Sequence, residues 1–226
     1  MGLGHRLKNW ESRIRAHYNV APTTPENRRK ARIYALWFDH EILRTVWTNF
    51  DEIAPGVFRS NHPTRKRFEK MKAMGIHTVL NLRGETDSAH YLLEKEICDD
   101  LGLTLVNAKL LARGAAVRAD ILDTIQKLKS LDKPFVMHCK SGADRAGFAS
   151  AMYLMIVEGK SVAEARRMLS PRYMHIRNGK VGILDYTLDV YEARNARDPI
   201  SFEDWIATEY DNAELHRAFH AGDPPA

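Results

Sequence analysis

The chain has 226 residues, 44% hydrophobic and 28% charged, which excludes a disordered, collagenous or low-complexity class and fits one globular domain with appendages. Its formal net charge of +5 suits an acidic partner, whether a phosphate ester, nucleic acid or an anionic lipid surface, without choosing among them. Two cysteines, Cys98 and Cys139, exclude a disulfide framework and point to a reducing cytoplasm.

The opening stretch MGLGHRLKNWESRIRAH is interrupted by charges and does not read as a secretory leader. Residues 1–52 form an N-terminal helical extension in this reading. From Arg28 to Asn49, Ile33, Leu36, Trp37, Ile42, Leu43, Val46 and Trp47 recur at helical spacing. Such a segment fits a membrane surface, a partner, or the body of the domain. At Ile53 the pattern changes: IAPGVFRSNHP predicts two short strands around Pro55-Gly56. Thr64 then caps a helix to Met74, which Gly75 ends. The β-branched run from Ile76 to Arg83 predicts a buried strand. A helix from Tyr91 to Leu101, the strand LTLVNAKL and a helix from Arg118 to Leu131 follow. Pro134 opens the strand FVMHC, and the next helix begins near Arg145 with an apolar run to Val157, too short to span a bilayer. Ser161 and Glu164 make a capping box for a helix ending before Pro171. One more helix is expected over Val181 to Arg197, and a last one from Ser201. The alternation predicts an α/β three-layer sandwich with a mostly parallel central sheet flanked by helices, and a site at the carboxyl ends of its strands. The central domain is placed at 53–198, with a C-terminal helix and tail at 199–226.

The segment HCKSGADRAG, His138 to Gly147, carries the chemistry. A buried strand ends at Cys139 and a helix starts about six residues later, so the loop can turn several backbone N–H groups inward. Gly142 permits a conformation that a bulkier residue resists. Such a nest at a helix N-terminus is an anion site, and Arg145 can hold two phosphate oxygens bidentately. A cysteine at the floor of this cup faces a positive field that favours the thiolate, placed for in-line attack on phosphorus. The phosphate-binding set is Lys140, Ser141, Gly142, Ala143, Asp144 and Arg145.

At these residues the sequence resembles the protein tyrosine and dual-specificity phosphatase superfamily, whose signature is HCxxxxxR followed by Ser or Thr. The match runs from His138 through Cys139 to Arg145, and APGVFRS with TVLNLR resembles the start of the small dual-specificity domain, so similarity covers roughly 53–193. The resemblance implies phosphomonoester hydrolysis through a phosphocysteine with Cys139 as nucleophile, and neither metal nor organic cofactor. Two departures stand out. Ala146 replaces the usual hydroxyl, which helps the thiolate leave. The loop acid is missing, since no Asp or Glu occurs from Leu103 to Ala119. The leaving group still needs a proton. Asp144, placed as in myotubularin-like and some bacterial lipid-type phosphatases, is the favoured donor, and Asp120 is the alternative.

The implied partner is a phosphorylated protein, a phosphoinositide or an inositol phosphate, with a membrane surface as a further option and no nucleic acid. Lys140 and Arg113 tilt the reading towards polyanionic substrates. A phosphate-binding module without turnover is the alternative that Ala146 keeps open; a sulfurtransferase is disfavoured by the cysteine-to-arginine spacing. Cys98 reads as a small packed hydrophobe, and His216 with His220 lacks a third metal ligand.

Overall fold

A computed structural model describes the chain from residue 3 to residue 225. Its centre is a five-stranded sheet of β1 (Asp51–Ala54), β2 (Val57–Ser60), β3 (Thr78–Asn81), β4 (Thr104–Asn107) and β5 (Phe135–His138), ordered β1-β2-β5-β3-β4. β1 and β2 form the antiparallel hairpin expected at Pro55-Gly56; the other neighbours run parallel. β5 lies between β2 and β3, with His138 in register with both Ser60 and Asn81. Cys139 therefore leaves the middle of the sheet's carboxyl edge, the position at which parallel sheets place ligands.

The strand sequences explain this placement. VFRS, TVLN and FVMH are buried at every residue, as strands covered on both faces must be. Val79 and Val136 turn to one face, where they meet Phe68 and Met71 of α4 (Arg65–Ala73) and Cys98 of α5 (Ala89–Leu101). Leu80, Phe135 and Met137 turn to the other and pack with α6 (Arg118–Ser130) and α7 (Asp144–Ile156). The result is the three-layer α/β sandwich that the sequence pattern predicts.

Before the sheet come α1 (Leu3–Tyr18), α2 (Pro25–Ile33), a π-helical turn at Tyr34–Phe38 and α3 (Glu41–Arg44). Thr24 caps α2 by accepting from the Asn27 amide, and Pro25 opens it. Arg28 fastens α2 to α5 through Glu96, with Nη1 2.6 Å from Oε2.

Beyond α7, the Ser161–Glu164 capping box is present, although α8 (Val162–Ala165) is short and tightens at once into a 3₁₀ turn. α9 (Ile183–Arg197) follows the 3₁₀ turn Gly179–Gly182. The single helix expected from Ser201 is two: α10 (Phe202–Thr208) and α11 (Asn212–Ala221). Tyr210 forces the break, because its buried hydroxyl donates to the Ala116 carbonyl at 2.7 Å, and Asp211 restarts the chain by accepting from the Ala213 and Glu214 amides. Among the described residues no helix is long and apolar enough to cross a membrane.

Candidate active site

The segment from Cys139 to Arg145 closes a tight loop between β5 and α7, and its shape is set from outside as much as from within. Gly142 has φ +74°, and a Cβ there would stand 2.6 Å from the Asn61 amide nitrogen and 2.7 Å from Asn49 Cβ. Only glycine satisfies both the left-handed backbone and that contact. Asn49 Nδ2 donates to the Ser141 carbonyl at 2.8 Å and to the Tyr173 carbonyl at 2.9 Å. The His62 amide donates to the Lys140 carbonyl.

Beneath the loop lies Arg59, fully buried in β2. Its Nη2 donates to the Gly142 carbonyl at 2.5 Å, its Nη1 to the Met168 carbonyl at 2.8 Å, and its guanidinium sits 3.6 Å from the Tyr173 ring centre. Burial pulls this guanidinium down to about 10, with nearby Tyr173 and Cys139 opposing, so it stays charged at neutral pH. Fixed carbonyl acceptors and an aromatic face thus hold a cation under the loop. Sequence reading missed Arg59; its signal was a charged residue inside a short strand buried at every position.

The loop faces a cavity of about 810 Å³ lined by Lys140, Ser141, Asp144 and Arg145 on one side, and by His40, Leu43, Trp47 and the 110–114 loop on the other. Cys139, which opens the loop at the end of β5, is buried. Arg145 is half-buried, and its Nε is enclosed without a hydrogen-bond partner among the described residues. The 110–114 loop carries Leu110, Leu111 and Arg113 into the cavity where the superfamily's loop acid is usual. Asp120, the alternative proton donor, does not line it.

Asp144 does line the cavity, and its partners were not foreseen. His175 Nδ1 lies 2.8 Å from Asp144 Oδ1, and His175 Nε2 lies 2.8 Å from Oδ2 of the buried Asp185 in α9. Burial alone would depress this imidazole; the hydrogen bonds to Asp144 and Asp185 outweigh it and raise it to about 9. His175 is therefore an imidazolium near neutral pH, held between Asp144 and Asp185.

A second acidic anchor is Asp39, also missed. Arg83 clamps it bidentately, with Nη2–Oδ1 at 2.7 Å and Nη1–Oδ2 at 2.9 Å, and Arg44 adds a 2.9 Å contact. Burial would raise the carboxyl, yet the Arg83 hydrogen bond and the charges of Arg83 and Arg44 hold it well below the usual carboxylate range. Lys140 Nζ lies 3.6 Å from it. Burial, and the repulsion of Arg83 and Arg44, lower the Lys140 ammonium against the attraction of Asp39. The N-terminal extension thereby supplies one wall of the cavity and steadies a loop lysine.

Behind the loop, Glu94 Oε1 lies 2.6 Å from His138 Nε2, and its Oε2 lies 3.8 Å from His62 Nδ1. These groups offer three ligand atoms within 4.8 Å. Arg83 Nη1, 3.2 Å from His62 Nδ1, already places a cation there, so the arrangement does not read as a metal site. The His216 and His220 rings lie 4.4 Å apart, tilted at 59°, on α11 and remain a pair without a third ligand among the described residues. Cys98 is fully buried, and burial pushes its thiol up to about 12.

Fold and loop together define a dual-specificity-phosphatase-like domain. Residues 48–178, more than half of the chain, match the family described as the Swiss Army Knife protein, DSP-PTPase phosphatase domain, and the chain belongs to that family. It is 26% identical over 115 residues to the dual specificity protein phosphatase TpbA of Pseudomonas aeruginosa, covering 49% of this chain and 48% of TpbA. The chain thus spans about half the length of the curated relatives it matches. The crystal structure of TpbA aligns with a TM-score of 0.48 at 18% identity, covering 76% of this chain and 91% of that one. Human DUSP28 aligns with a TM-score of 0.48 at 16% identity over 66% of this chain and 95% of its own. A DUF442 protein of Shewanella putrefaciens reaches a TM-score of 0.50 at 16% identity, over 65% and 90% of the two chains.

Proposed function

We propose that this protein hydrolyses a phosphomonoester through a phosphocysteine intermediate. In the first step the Cys139 thiolate attacks phosphorus; the P–S bond forms as the ester P–O bond breaks, and Asp144 delivers a proton to the departing oxygen. Arg145 and the loop amides hold the remaining phosphoryl oxygens, whose charge spreads in the transition state. In the second step water attacks the phosphocysteine, giving its proton to Asp144, and inorganic phosphate leaves.

Asp144 must carry a proton at the moment of attack, and His175 Nδ1, 2.8 Å from Asp144 Oδ1, fixes the orientation of its carboxyl group. The buried carboxylate of Asp185 keeps the His175 imidazolium charged and oriented. His175 is a positioning residue in this scheme, since it acts on the substrate through Asp144.

The observation that carries the reading is Arg145 lining the cavity with an enclosed, unpartnered Nε, in the loop that follows buried Cys139 at the end of β5. Membership of the phosphatase family supports it. The test is phosphate release from p-nitrophenyl phosphate between pH 5 and 8, with and without chelator, by the native protein and by Cys139→Ser. We expect chelator-resistant turnover that the substitution abolishes. Turnover surviving Cys139→Ser would refute the cysteine mechanism. Phosphate bound without turnover by the native chain would favour the binding-module alternative that Ala146 raises.

A further inference from the structure

The N-terminal segment that supplies one wall of the active cavity also presents an apolar face to solvent. Leu36, Trp37, Ile42, Leu43 and Val46 fall within a short stretch of chain and are all exposed, Trp37 by 59% and Val46 by 85%. Their direction follows from their neighbours. Tyr34 and Phe38 turn inward and stack on each other at 5.9 Å, with Phe38 against Tyr18 and Tyr34 against His90. Ala35 and Asp39 are buried between them. Intervening Leu36 and Trp37 are left outside, and α3 repeats the arrangement by burying Arg44 while Ile42 and Leu43 stay exposed.

Two further features lie beside this face. Leu43 belongs at once to the exposed set and to the lining of the cavity, and Leu111 is exposed on the opposite lip. The apolar face is therefore continuous with the mouth of the cavity that Lys140 and Arg145 line. Around it stand exposed Arg29 and Arg32, on the turns of α2 that lead to Leu36, and exposed Arg113 on the far lip. None of the three joins a salt bridge among the described residues, whereas Arg28, Lys30 and Arg44 are each committed to a carboxylate. Large apolar side chains, including a tryptophan, flanked by arginines outside any salt bridge are the composition that inserts into the headgroup region of an anionic bilayer. A protein partner of acidic, apolar character would satisfy part of this pattern. The placement around the cavity mouth favours the bilayer, because a surface lying on the lipid would deliver headgroup phosphates directly to Lys140 and Arg145.

We propose that Leu36, Trp37, Ile42, Leu43 and Val46 form a docking face for an anionic lipid bilayer, so that the substrate class of the adjoining site is the phosphomonoester headgroup of a membrane lipid. The substrate part rests on the phosphatase reading above; the docking part does not.

The experiment separates the two. Co-sedimentation is measured with phosphatidylcholine vesicles, with and without phosphatidylglycerol, for the native chain, for Cys139→Ser and for the double variant Trp37→Ser, Val46→Ser. Both substituted side chains are exposed and lie outside the cavity lining. The native chain and Cys139→Ser should bind the anionic vesicles, more weakly as salt rises, and the double variant about tenfold less. Turnover of p-nitrophenyl phosphate should be unchanged in the double variant, while phosphate release from phosphatidic acid in vesicles falls with binding. Docking without any turnover would refute the phosphatase reading and leave the docking face standing. Turnover of the soluble ester by a chain that ignores both vesicles, or a double variant that binds as well as the native chain, overturns the face. So does a dimer that the double variant dissociates in the absence of vesicle binding, since a second copy would then cover these residues.

Discussion

Asp144 is held on one side by His175 and opens on the other to the cavity, so its contribution depends on how much a leaving group needs a proton. A p-nitrophenolate leaves readily unaided; an alkoxide does not. Asp144→Asn should therefore cost about 10²–10⁴-fold in kcat on an alkyl phosphate and far less on p-nitrophenyl phosphate, the usual range for general acid catalysis. Equal losses on the two substrates would remove the proton-transfer role. At this scale the sequence was informative where the chemistry is local along the chain. Cys139 and Arg145 are brought to one cup by five intervening residues and a single glycine, so spacing alone located them. Arg59, Asp39 and His175 reach the same place through the sheet, the N-terminal extension and the segment after Tyr173. No local pattern encodes such long-range closure, and a buried charge carries little signal until its partners are known.

Among the elements, the link that matters most runs from the first turn of α7 through His175 to the first turn of α9. The folded-state value of His175 is raised to about 9 from an ordinary 6.5. A raised value means that the proton favours the folded chain, so the stabilisation is complete below pH 6.5 and is lost as pH rises through about 9. Native protein should exceed His175→Gln in stability by on the order of 2 kcal/mol in mildly acidic buffer, a figure reduced for the partial exposure of Asp144. The gap should shrink across the alkaline window. Urea denaturation at several pH values measures it, and a gap independent of pH would show that His175 acts by packing alone. Secondary structure was legible wherever pattern and cap agreed, as in the all-buried β2, β3 and β5 and the Ser161 capping box. The break between α10 and α11 was not, because it depends on Tyr210 finding the Ala116 carbonyl far back in the chain.

For the whole molecule, the C-terminal segment belongs energetically to the main core. Phe202, Trp205, Ile206 and Tyr210 join the cluster that includes Phe135, Met137 and Phe148. Trp205 touches the rings of Tyr191, Phe202 and Tyr210 at 5.5–5.8 Å. Trp205→Ala should cost about 3–5 kcal/mol, the range for truncating a large buried aromatic. One cooperative urea transition, shifted as a unit, is expected; a separate early transition with the main one unmoved would mark residues 199–226 as an independent appendage. The three-layer plan and mostly parallel sheet followed from strand–helix alternation, while the strand order and the packing of α2 and α10 onto the central unit could be seen only in the packed structure.

The two cysteines lie in separate core clusters, Cys139 with α7 and Cys98 with α4 and α5. Cys98 is enclosed and its thiol is pushed up to about 12, so it supplies almost no thiolate under ordinary conditions. Should peroxide convert Cys139 to its sulfenic acid, this chain has no internal thiol able to capture it as a disulfide before further, irreversible oxidation. Protection and recovery of the nucleophile then fall to thiols from outside, such as glutathione or a thioredoxin-type reductant.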